Sequence, residues 1–143
     1  MMLSVVAGQR FVIMVSSFSA GGGVLGLNAF VANAAPPTFT DDPLTAGTTT
    51  VKAVHVTELR QAIAALRARY ALGVFTWMDA SPVAGVTQAK AVHLTELRTA
   101  LNAAYTAAGR VAPTYTHAII TGGTTVITAV DIAELRAAVL GIW

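Results

Sequence analysis

Three residues stand at the same place in three near-copies of one motif. KAVHVTELR runs from Lys52 to Arg60, KAVHLTELR from Lys90 to Arg98, and TAVDIAELR from Thr128 to Arg136. The fourth position of the motif holds His55, His93 and Asp131. Two imidazoles and a carboxylate are a donor set for a divalent metal with open coordination positions. Water activated on such a metal would make the chain a small metal-dependent hydrolase. A local role competes with that reading. The three residues fall at about the third position of a helix, where Thr128 with Asp131 has the form of a capping box. Asp is favoured there by its charge, and a neutral His can accept a hydrogen bond from a free backbone N–H. In a linear stack, equivalent positions also lie about 10 Å apart, too far to share one metal. Capping is the preferred reading. No metal, no cofactor and no catalytic residue is assigned.

Glu58, Glu96 and Glu134 recur with Arg60, Arg98 and Arg136. Paired carboxylates can do acid–base work, as in glycoside hydrolysis, but nothing else in the chain points to a cleft. Glu and Arg two apart do not face each other within one helix. Glu of one helix meeting Arg of the next would set register between units, which is the preferred reading. Asp41, Asp42 and Asp79 precede Pro43 and Pro82 and read as turn residues. Ser16, Ser17, Ser19 and Ser81 sit in no G-x-S-x-G elbow, and no phosphate-binding glycine motif is present. The chain has no Cys, which excludes disulfides, thiolate metal sites and a Cys nucleophile. Net charge is +2, with nine basic against seven acidic residues, so the dense basic face of a nucleic-acid binder is missing. Hydrophobic residues make up 55% of the chain, which points to a surface that meets a partner, a membrane or itself.

These residues are positioned by a repeat. Phe39, Trp77 and Tyr115 are 38 apart, as are Gly47, Gly85 and Gly123. A fixed period of this size marks a small repeat array, with units 39–76, 77–114 and 115–143. Each unit opens on its aromatic residue, passes through an irregular segment and a Thr-rich stretch, and ends in an amphipathic helix. The helical stripes are Val56, Leu59, Ile63, Leu66 and Tyr70; Leu94, Leu97, Leu101 and Ala104; and Ile132, Leu135, Val139 and Ile142. Helix ends are expected near Gly73, near Gly109 and at the C-terminus. The aromatic heads are expected to plug the seams between neighbouring helices. The Thr runs read as β-branched strand or extended segments; the alternative is a row of Thr presented to a carbohydrate or a crystalline surface.

Residues 1–38 lack the repeat. LSVV, RFVIMVSSF and VLGLNAFVA read as three strands punctuated by glycine-rich turns. Phe11, Ile13 and Val15 would share one face, a candidate surface for self-association. The alternative is a signal or membrane segment, with Arg10 as the sole charge and a small-residue cleavage site at Ala32–Ala34. The triple glycine at 21–23 argues against one continuous membrane helix. The expected fold class is therefore α+β: a short three-strand segment followed by three helical repeats in a small array.

AGQRFVIMVSSFSAGGGVLGL resembles the last strands of bacterial extracellular β-sandwich modules of the prepeptidase C-terminal type. That resemblance implies exposed strand edges that another chain would cover. Residues 39–143 resemble a tandem repeat found at the C-terminus of large secreted proteins of soil-type bacteria, with Thr128, Asp131 and Ala133 as departures in unit three. This implies secretion and modular architecture, and no particular chemistry. The helix motif is also similar to dockerin modules. Their calcium-loop acids are replaced here by Leu44, Ala46 and Thr48, so no EF-type calcium site is expected. The expected function is a non-catalytic, secreted or cell-surface structural or interaction module, for display, adhesion, or self-assembly into an oligomer or filament. A dockerin-like module for a protein or polysaccharide partner and the metal-dependent hydrolase are the alternatives. Expected partners are copies of the chain or a larger parent protein, met through the N-terminal strands. Neither nucleic acid nor a membrane is expected.

Overall fold

The computed structural model describes residues 35–79 and 90–143. They contain three helices, α1 (Ala53–Arg69), α2 (Ala91–Ala107) and α3 (Ala129–Gly141). All belong to one compact unit, Pro36–Trp143. Among the described residues there is no strand, so the α+β expectation is corrected: the described residues form a small all-helical fold. The three proposed strands, with Phe11, Ile13 and Val15, lie outside the described residues. None of the described helices is long and apolar enough to cross a membrane.

The Thr-rich stretches show why β-branched composition misleads here. A strand needs a ladder partner, and these segments satisfy their backbone locally instead. Thr49 donates its N–H to the Thr45 carbonyl at 2.9 Å, while the Thr49 hydroxyl accepts from the Thr45 N–H at 2.9 Å. Thr125 and Thr121 repeat both bonds. Gly47 and Gly123, at φ 74° and 77°, supply the left-handed residue inside each turn.

Helix boundaries follow the same unit logic. Beyond α1 the N–H of Leu72 bonds to the Arg67 carbonyl, and that of Ala71 to Ala68. Beyond α2, Arg110 bonds to Tyr105 and Gly109 to Thr106. Both are Schellman ends, which need a left-handed residue just past the helix. Gly109 fills that position in unit two at φ 67°, and Ala71 fills it in unit one at φ 55°. Gly73 therefore lies beyond the cap, and α1 ends four residues earlier than the glycine suggests.

The core is built in layers of equivalent residues. Val56, Leu94 and Ile132 form one set; Leu59, Leu97 and Leu135 the next; then Ile63, Leu101 and Val139, and Leu66, Ala104 and Ile142. All are buried. Each large aliphatic side chain removed from water contributes about 1.5–3 kcal/mol, and no single unit could bury its stripe alone. Every helix packs on both others, including α1 on α3. The units close on themselves around a pseudo-threefold arrangement, where an open stack would leave α1 and α3 apart.

Candidate functional site

The polar motif residues do two jobs, both repeated. The first is a clasp between a helix start and the loop of its own unit. His55 is fully buried, and its Nδ1 accepts the N–H of Lys52, the residue before α1, at 3.2 Å. That acceptor role requires a neutral ring with its proton on Nε2, which faces Asp41 Oδ2 at 3.1 Å. Lys52 Nζ reaches the same oxygen at 2.7 Å. Unit two repeats this: Lys90 N–H to His93 Nδ1 at 3.2 Å, His93 Nε2 to Asp79 Oδ2 at 2.7 Å, and Lys90 Nζ to Asp79 at 3.3 Å.

Unit three makes the same clasp with its parts exchanged. Asp131 is now the buried helix residue, accepting the N–H and the hydroxyl of Thr128, both at 2.9 Å. The loop supplies the imidazole: His117 Nδ1 lies 3.0 Å from Asp131 Oδ1. Positions 41, 79 and 117 read Asp, Asp, His, while 55, 93 and 131 read His, His, Asp. Position 128 holds Thr where units one and two hold Lys, and the loop there carries no carboxylate.

These contacts hold the carboxyls ionised. Lys52, then His55, keep Asp41 below its ordinary range. His93, then Lys90, do so for Asp79. Burial works to raise Asp131, and the Thr128 N–H, His117 and the Thr128 hydroxyl together outweigh it, leaving it lowered.

The second job is a seam between units. Arg60 donates to the backbone carbonyl of Asp79 in the loop of unit two and approaches Glu96 at 3.5 Å. Its guanidinium lies 4.6 Å from the Trp77 ring centroid. Arg98 donates to the His117 carbonyl at 2.6 Å, reaches Asp131 at 3.3 Å, and covers Tyr115 at 4.1 Å. Arg136 donates to the Thr40 carbonyl of unit one at 2.8 Å, reaches Glu58 at 3.4 Å, and covers Phe39 at 4.8 Å. This third seam closes the ring. Each Glu also anchors its own loop. Glu58 takes the Thr40 N–H at 3.1 Å, Glu96 the Met78 N–H at 2.7 Å, and Glu134 the Thr116 N–H at 3.0 Å. Burial against the seam pushes the Tyr115 hydroxyl up to about 12.

The residues singled out from sequence are thus brought into contact, though in a different grouping. His55, His93 and Asp131 each face a loop residue of their own unit. Among the described residues, no three His, Cys, Asp or Glu side chains stand together to hold a metal. Glu58 and Glu96 meet an Arg from the preceding unit, whereas Arg98 turns to Asp131. Asp41 and Asp79, read as turn formers, are clasp residues, and His117 was overlooked. Its signal was available in the 38-residue register, where the loop changes from Asp to His as the helix changes from His to Asp. No family model, no curated protein and no solved structure matches the chain.

Proposed function

We propose that this chain is a non-catalytic structural and interaction module, working outside the cell, whose helical ring presents apolar loops for self-assembly. The carrying observation is where the repeated polar residues go. In each unit the Arg, the Glu and the His–Asp pair hold loops to helices and units to one another, which is the work of a scaffold. What the scaffold presents outward is apolar: Val74, Val111, Ile119, Val126 and Met78 are all highly exposed, and all lie in the segments between helices. Large apolar side chains exposed to this extent are candidates for contact with a partner or another copy. The placement outside the cell rests on the resemblance of residues 39–143 to repeats of secreted proteins.

Size-exclusion chromatography with light scattering, over a hundredfold range of concentration, tests the reading. Concentration-dependent assembly is expected, and Val74→Asp with Val111→Asp should weaken it at least tenfold while leaving helix content unchanged. A monomer at every concentration overturns it.

A further inference from the structure

All three helices run the same way along the ring. Where they finish, Tyr70, just past α1, donates its hydroxyl to the carbonyl of Ile142, just past α3, and Tyr105 in the last turn of α2 donates to Ala138 near the end of α3. In their first halves, Arg136 of α3 reaches Glu58 of α1, and Arg60 of α1 reaches Glu96 of α2. The ring therefore has two unlike ends. The 17 residues of α1 set them about 25 Å apart.

The end where the helices finish is apolar and basic. Each unit exposes one large apolar side chain there: Val74 beyond α1, Val111 beyond α2 and Leu140 in the last turn of α3, at 99%, 91% and 46% exposure. Arg69 and Arg110 are exposed beside them, and Arg67 lies in the last turn of α1 on the Gly73 and Ala100 carbonyls. No Asp or Glu follows Glu58 in α1, Glu96 in α2 or Glu134 in α3. The only carboxylate that can stand at this end is the terminal one of Trp143.

The end where the helices start is apolar and acidic. Ile119 and Val126, 82% and 77% exposed, lie in the loop between the clasp residue His117 and the helix start at Thr128. All seven Asp and Glu residues of the chain belong to this half of the ring, against the five cations Lys52, Arg60, Lys90, Arg98 and Arg136. Asp42 among them is 62% exposed.

We propose that the partner at each end is a second copy of this chain, bound head to tail, with the helix ends of one copy seated on the loops of the next. Apolar side chains on both sides supply the buried area, and the opposite charges choose the orientation. Like ends would set guanidinium against guanidinium or carboxylate against carboxylate. A head-to-tail contact leaves one unused end of each kind on every growing assembly, so it extends into a filament where a two-fold contact stops at a dimer. This polarity rests on the self-assembly proposed above and gives it a direction.

Two blocked variants of the full chain test it by light scattering, at a concentration where the parent assembles. Val74→Asp with Val111→Asp blocks the helix-finish end, and Ile119→Lys with Val126→Lys blocks the loop end. Each should be monomeric alone, and an equal mixture should form complexes containing both, because each variant keeps the end that the other lacks. Arg69→Glu with Arg110→Glu should by itself weaken assembly of the chain at least tenfold. If either blocked variant still self-associates as strongly as the parent, if the mixture stays monomeric, or if the charge reversal has no effect, the head-to-tail contact is overturned while self-assembly stands. A parent chain that is monomeric throughout overturns both. If circular dichroism shows a blocked variant to be unfolded, Arg69→Glu with Arg110→Glu replaces the first and Asp42→Lys the second, with the same outcomes expected.

Discussion

At the scale of single residues, each seam hangs on one guanidinium that meets a carbonyl, a carboxylate and a ring face together. Lysine keeps the charge but has neither the flat face nor the forked donors. Arg136→Lys should therefore cost about 1–2 kcal/mol, read as a lowered urea midpoint. The clasps add a dependence on strong acid. Asp41 and Asp79 are lowered in the folded chain from 3.8. Their stabilisation is present above that unfolded-state value and is lost as pH falls through the lower folded one. Stability should fall below about pH 4, and the slope should flatten in Asp41→Asn with Asp79→Asn. Urea midpoints at pH 5 and pH 2.5 measure it. The repeated Glu, Arg and His were legible because they stand in an unbroken motif on a helix. The loop partners were not, because Asp before Pro has a sufficient local explanation as a turn. Only the spatial pairing shows that Asp41 and His117 do the same work.

At the scale of elements, the helices follow from apolar periodicity, and the ends of α1 and α2 follow from one left-handed position. Units one and two differ there only by a methyl group. Ala71 adopts φ 55° where Gly109 adopts φ 67°, and an L side chain in that region costs about 1 kcal/mol. Ala71→Gly should raise stability by about 0.5–1 kcal/mol and Gly109→Ala lower it by about 1 kcal/mol, both measurable by thermal unfolding. The helix stripes were readable residue by residue. The Thr runs were not, because the same β-branched side chains that suit a strand also close a one-turn loop through their hydroxyls. Which they do depends on a partner strand that local sequence cannot supply.

At the scale of the whole molecule, closure separates this ring from an open array of repeats. In an open array, damage to an end unit frays that end and leaves the far unit standing. Here α3 packs on α1 as well as on α2, and Tyr70 in unit one donates its hydroxyl to the Ile142 carbonyl at 3.1 Å. Leu135→Ala should cost about 2–5 kcal/mol. Amide exchange should speed up in α1 as much as in α3, with fluorescence and circular dichroism reporting a single transition. Exchange confined to α3 would mean that the units behave as an open stack. The period of 38 was plain in the sequence, but periodicity is the same for a line and a circle. The distinction lies in the angle between successive units, which side-chain volumes set collectively.

Closure also makes the order of visiting the units arbitrary. Arg136 reaches Thr40 as Arg60 reaches the loop of unit two, so the junction of last unit to first is a joint like the others, without its covalent thread. A circularly permuted chain that begins at Tyr115, with Trp143 joined to Phe39 through a copy of the linker 70–76, should fold to the same ring with all three seams intact.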